Sequence, residues 1–330
     1  MKSKTLRVVL AVAVSGGLLG LVLAGLDLDR ASSRLRSAAL RFLLAAAVLS
    51  LGVFVSRGFR FAALLPRSGP PLALAATGVQ NFLNRVTPLR LGELALPVLL
   101  HRHAGENPAG ALIAVALVRL VDLAVVLAAV VLAVAMRAGA PGGLWGPALL
   151  LAGVAAVLAT FRFWLRLGLR GFETIARRLG PSRRPAVERV LDRLSGAVAE
   201  SAALPFRGRA ALLGWSLAVF GLQTGMFGAL LLAFGVQLPV VPLVQGAAVA
   251  QVGAAVPVAS VGTVGTQEAS WVAGFVWAGV GKEDALVTAV ACQVITLAFA
   301  ALTALPCWWW LGRQRRTASE TCATPPTRAS

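Results

Sequence analysis

Residues 210–267 read AALLGWSLAVFGLQTGMFGALLLAFGVQLPVVPLVQGAAVAQVGAAVPVASVGTVGTQ. Between Ala210 and Gln267 there is no Asp, Glu, Lys or Arg. No soluble domain keeps such a run away from water, whereas one membrane span needs about 20 apolar residues. The run therefore threads a bilayer at least twice. Outward from it, the 330-residue chain is 58% hydrophobic and 13% charged, with a mean hydropathy of +0.81. Ordinary soluble domains are about 45–50% apolar and about 25% charged. The composition gives an all-α, polytopic integral membrane protein and excludes a soluble enzyme, a disulfide scaffold and a disordered chain.

The net charge of +18 is confined to loops and ends, so it points to membrane topology and not to nucleic acid. Cys292, Cys307 and Cys322 show no pairing pattern, and the chain has only two histidines. Neither a metal nor a cofactor is expected.

Full-length spans are expected at about 6–26, 40–56, 109–136, 144–161, 210–234 and 284–311. The first follows Lys2, Lys4 and Arg7. Its uncharged run, Val8 to Leu26, exceeds the 7–15 residues usual for a signal-peptide core and reads as a retained span. Two further apolar regions, 71–100 and 239–280, are interrupted by polar residues, Pro and Gly. Each reads as two short helices around a break. Irregular backbone at membrane depth survives only where protein or a water-filled cavity satisfies its N–H and C=O groups, so each break predicts a protein-lined site.

The two breaks match. Pro88, Gly92, Glu93, Gly105 and Ala111-Leu112 are answered in the same order by Pro257, Gly265, Glu268, Gly279 and Ala285-Leu286, with Glu to Gly 12 and 11 residues apart and Glu to Ala 18 and 17. We read an internal duplication, with repeat one at about 40–136 and repeat two at about 210–311. With the N-terminus in the cytoplasm, 22 of the 31 basic residues fall in cytoplasmic segments, Arg57 and Arg60 among them, as the positive-inside rule requires. The repeats are then inverted, an arrangement transporters use with the substrate site between the halves. The segment 162–209 carries two basic amphipathic patterns and reads as interfacial helices. Residues 313–330 read as a disordered cytoplasmic tail.

Six charged residues lie in the apolar regions: Arg85, Arg90, Glu93, Arg119, Asp122 and Glu268. A charge at the bilayer centre costs roughly 2.5–3.5 kcal/mol on insertion scales, so each is a functional candidate. Arg119 and Asp122 are three apart and share a helix face, and Arg90 and Glu93 are placed to pair across the break. Arg85 has no local partner and is the best anion ligand. The arginines together suit a phosphate, with Glu93 and Asp122 holding them. Gly262 and Gly265 allow close backbone approach to a ligand. Glu268 is either a titrating group or the cap of a half-helix. Asn81, Asn84, Gln223, Gln245, Gln251 and Gln293 either line a cavity or bond helices together. Gly-x-Ser-x-Gly, a Walker loop and His-Glu-x-x-His are all absent, so the chain is not expected to be an enzyme.

The stretch from Gly78 to Leu123, with Asn81-Phe82-Leu83-Asn84, Thr87-Pro88-Leu89-Arg90-Leu91-Gly92-Glu93 and Arg119 to Asp122, resembles the lysylphosphatidylglycerol synthase transmembrane region. That family is also called the flippase-like domain family, or UPF0104. Pro257 to Glu268 with Gly279-Val280 and Ala285 is similar to its second signature, though less dense in glycine. The resemblance spans roughly residues 8–312 and implies a domain that moves a lipid between leaflets. In full-length synthases the domain is fused to a soluble aminoacyltransferase; only 19 residues follow Leu311 here, so synthase activity is not expected. The expected cargo is an anionic phospholipid or polyprenyl-phosphate-type lipid, crossing a bacterial inner membrane. A membrane subunit supporting an envelope-biosynthesis enzyme and a small-molecule exporter are the alternatives.

Overall fold

The computed structural model describes residues 38–87, 92–137, 206–255 and 265–323, together with Phe163 and Gly196. The described residues form eight α-helices and no strand. In chain order they are α1 (Leu40–Leu64), α2 (Gly69–Val86), α3 (Gly92–Ala104), α4 (Pro108–Arg137), α5 (Phe206–Ala233), α6 (Val240–Ala255), α7 (Thr266–Trp277) and α8 (Lys282–Ala323). The all-α membrane architecture read from composition is therefore present. Stretches in α1, α4, α5 and α8 are long and apolar enough to cross a membrane. Both interrupted regions form pairs of short helices, α2–α3 and α6–α7. The spans read at 6–26 and 144–161, and the interfacial helices of 162–209, lie outside the described residues except for Phe163, Gly196 and the start of α5.

Local chemistry sets the breaks. Gly69-Pro70-Pro71 opens α2, where proline's missing N–H costs nothing. Thr87 ends it in an extended conformation (φ −95°, ψ 141°), as a residue preceding proline must. Gly92 starts α3 directly against the end of α2: a Cβ there would sit 2.4 Å from the Asn84 backbone nitrogen. Only glycine permits that approach. In the second hairpin Gly246 and Gly274 do the same work, since a Cβ on Gly274 would come within 2.6 Å of the Gly246 carbonyl oxygen.

The packing repeats itself when each helix is exchanged for the one four places on. The hairpin α2–α3 corresponds to α6–α7, α1 on α2 to α5 on α6, and α3 on α4 to α7 on α8. Most informative, α2 packs on α8 and α6 packs on α4, so each hairpin leans on the last helix of the other half. The corresponding helices α1 and α5 run antiparallel. Ala39 N–H donates to the Ala233 carbonyl at one end (3.0 Å), and Arg60 donates to Ser216 Oγ at the other (2.9 Å). An exchange that reverses helix direction is an inverted two-fold.

The core divides accordingly. One apolar cluster joins Leu72, Leu96, Val118 and Val121 to the ends of α5 and α8 at Leu212 and Leu311. The other joins Leu230, Trp271 and Phe275 to Ala285 and to Ala46 near the start of α1. The two clusters sit at opposite ends of the helix pair α1–α5.

Two boundaries differ from the sequence reading. Helix α1 continues to Leu64, not 56, because Phe59 and Phe61 through Leu64 keep it apolar and no breaker precedes Pro66. Arg57 and Arg60 are therefore inside a candidate span and not in a cytoplasmic loop. Helix α8 continues through Ala323, where a disordered tail from 313 was read; Pro325 is the first breaker after Gly312.

Candidate functional site

Polar groups gather where α1, α2, α4, α5, α6 and α8 meet. Arg57, near the middle of the bundle, donates from Nη1 to Asn81 Oδ1 (2.9 Å) and from Nη2 to Gln223 Oε1 (3.0 Å). Both acceptors are neutral amides, and no carboxylate among the described residues lies within ion-pair distance of it. One turn on, Arg60 is 2% exposed and bound by both oxygens of Asp122, with Nη2 to Oδ2 at 3.2 Å, and by Ser216. Arg119 Nη2 meets Glu93 Oε1 at 2.8 Å, linking α4 to the first turn of α3. Arg85 Nη1 donates to Thr296 Oγ1 (3.0 Å), tying the end of α2 to α8.

Two cavities flank Arg57. One, of about 70 Å³, is lined by Arg57, Arg119 and Asp122 with Gln223 and Gln251. The other, of about 40 Å³, is lined by Arg57, Asn81, Arg85, Gln223 and Thr296. Water occupies roughly 30 Å³ in the liquid, so these spaces hold a few waters or one compact oxyanion. Their charge is one-sided. Among the described embedded groups, Asp122 offsets Arg60 and Glu93 offsets Arg119, while Arg57 has no acid of its own.

Glu268, also 2% exposed, accepts from the Gly265 backbone N–H at 2.7 Å and caps the start of α7. The helix-cap reading of this residue is the one the geometry shows. It lies near enough to Arg85 for the two charges to attract.

The structure thus brings Asn81, Arg85, Arg119 and Asp122 around one polar centre, with Glu93 at its edge. Asn84 falls elsewhere: it lies against Gly92 between the hairpin arms, its Oδ1 buried without a hydrogen-bond partner among the described residues. Arg90 and Gly262 lie outside the described residues, as does Pro257. The expectation that Asp122 holds one of Arg85, Arg90 or Arg119 is corrected, because its carboxylate is taken by Arg60. The shared-face pair Arg119–Asp122 does not form for the same reason. Arg57 and Arg60 were missed as site residues; the apolar sequence that continues beyond them was the available signal. Of the amide side chains, Gln223 and Gln251 line the cavity, while Gln245 bonds to the Trp277 carbonyl (3.5 Å).

Residues 8–304 match the lysylphosphatidylglycerol synthase TM region family. The chain belongs to that family. The match covers both hairpins and all four long apolar helices but for the end of α8. It makes the chain a membrane protein of a family named for a lipid synthase. No curated protein and no solved structure matches it.

Proposed function

We propose that the chain moves an anionic lipid, a phospholipid or a polyprenyl phosphate, between the leaflets of a bacterial inner membrane. The proposed roles leave the lipid's covalent bonds unchanged. One observation carries the reading: Arg57 is a partly buried guanidinium held by two neutral oxygens, between two cavities that each hold one further arginine, Arg119 in one and Arg85 in the other. A buried charge without a counter-charge is costly, and a phosphate supplies the missing charge while using the guanidinium's remaining N–H groups. Arg85, positioned by Thr296, and Arg119, positioned by Glu93, approach the same anion from either side.

The inverted packing gives this site a route to both faces. The site lies where the halves meet, and rocking one half against the other is how inverted repeats alternate access. The cavities hold no more than a phosphate-sized group, so a whole headgroup enters only when the hairpins part from α4 and α8. In this reading the chain crosses the membrane many times, with both termini in the cytoplasm.

Lipids retained by the purified protein test the proposal. Mass spectrometry of the extract should show anionic species enriched over zwitterionic ones relative to the host membrane, and Arg57→Gln should reduce the enrichment. An unselective lipid profile in the wild type would refute the anion site.

A further inference from the structure

A third cavity, of about 280 Å³, lies outside the polar centre, between the first hairpin and the C-terminal part of α8. Its walls include Leu83, Ala95, Leu99, Trp308 and Leu311, and Arg102 stands at its end. The size is near the lower bound of about 300 Å³ for ligand pockets. It is well above the roughly 150 Å³ at which an apolar cavity takes a benzene ring. Helix α2 is the partition: Val79 and Leu83 face this cleft, while Asn81 and Arg85 line the polar cavity.

The occupant follows from where the cleft opens. Trp308 and Trp309 are 56% and 59% exposed near the end of a long apolar helix, and Arg313 stacks on Trp309 at 3.7 Å. Tryptophan followed by arginine at the end of a span marks the headgroup level of a bilayer. Arg102 is exposed at that same end and has no hydrogen bond or ion pair among the described residues. From Arg102 the α3 wall runs inward to Ala95, about 10 Å at the helical rise. The cleft is thus apolar along its depth and basic at its mouth, and it complements a lipid chain below a phosphate.

We propose that this cleft is a lateral docking site for an anionic phospholipid, one hydrocarbon chain lying along Leu99 and Trp308 and the phosphate at Arg102. It is distinct from the transport site and does not depend on Arg57.

The test uses the full chain in phosphatidylcholine nanodiscs doped with phosphatidylglycerol that carries a photoreactive diazirine in its acyl chain. After irradiation, adducts should map to the peptides holding Leu99 and Trp308. A phosphatidylcholine probe with the same chain should label about fivefold less, the ratio expected of one exposed charge contact. Arg102→Gln, an exposed change that leaves the packing alone, should remove that difference and keep the chain adducts. Ala95→Phe, which fills the cleft, should suppress labelling by both probes, whereas Arg57→Gln should leave it unchanged. Equal labelling by the two probes in the wild type, or adducts that persist in Ala95→Phe, would overturn the proposal.

Discussion

Arg57 and Arg60 are three residues apart on α1 and meet opposite conditions. Arg60 has its carboxylate, Asp122, and a hydroxyl, Ser216. Arg57 has two amide oxygens and a cavity. Removing one partner of the first pair strands a buried charge, so Asp122→Ala should destabilise the protein by about 3 kcal/mol. The double change Arg60→Leu with Asp122→Leu should recover most of the loss; unfolding midpoints in detergent measure both. At Arg57 the lost hydrogen bonds are offset by relief of a desolvated charge. Arg57→Gln should therefore shift stability by only about 1–2 kcal/mol while removing anion selectivity. The pair Arg119–Glu93 is partly exposed, 41% and 28%, and contributes only about 0–1 kcal/mol. Sequence spacing finds Arg119 and Asp122 as neighbours on one face, and that is correct as geometry. It cannot show that Arg60, some sixty residues earlier, competes for Asp122 from another helix.

At the scale of the elements, the hairpins depend on glycine contacts and on one cap. Gly274→Ala presses a methyl group onto the Gly246 carbonyl and should cost roughly 1–3 kcal/mol, read from the same unfolding midpoints. Glu268→Gln keeps a side-chain oxygen to accept from the Gly265 N–H, so the cap and lipid transfer should both survive. Loss of transfer in Glu268→Gln with the fold intact would show that the carboxylate has a protonation role. The hairpins were legible because Pro, Gly and polar residues interrupt otherwise apolar runs, and the cap because a Glu three residues after a Gly is a short-range signal. The end of α1 was read short because Arg57 stands where a membrane edge is expected, and the part of α8 beyond Gly312 was not read as helix because Thr, Ser, Ala and Pro dominate the sequence there. In α1 both guanidiniums have hydrogen-bond partners on other helices, which no local pattern reveals.

For the whole molecule, the antiparallel pairing of α1 with α5 and the exchange of hairpins between halves place equivalent loops at opposite ends. The turn after α3 lies at the end where Leu212 and Leu311 pack, and the turn after α7 at the end where Ala46 packs. In a chain whose three cysteines are replaced by alanine, Asn107→Cys and Lys282→Cys should react with a membrane-impermeant maleimide from opposite faces. Labelling from one face would contradict the inverted arrangement. The duplication was read from the matched spacing of Glu to the following Gly and Ala, whereas the packing of each hairpin on the other half's last helix was not legible, because it is a contact between distant segments.

Transport of an anionic lipid across the bilayer is proposed to run through the site at Arg57. Vesicles reconstituted with the purified chain and a headgroup-labelled phosphatidylglycerol measure it directly, through the fraction of label that an impermeant quencher destroys. The wild type should expose more than the outer-leaflet half of the label, and Arg57→Gln should return the signal to that of protein-free vesicles. Wild-type transfer in folded Arg57→Gln, or no transfer of any anionic lipid by the folded wild type, would rule out transport through Arg57.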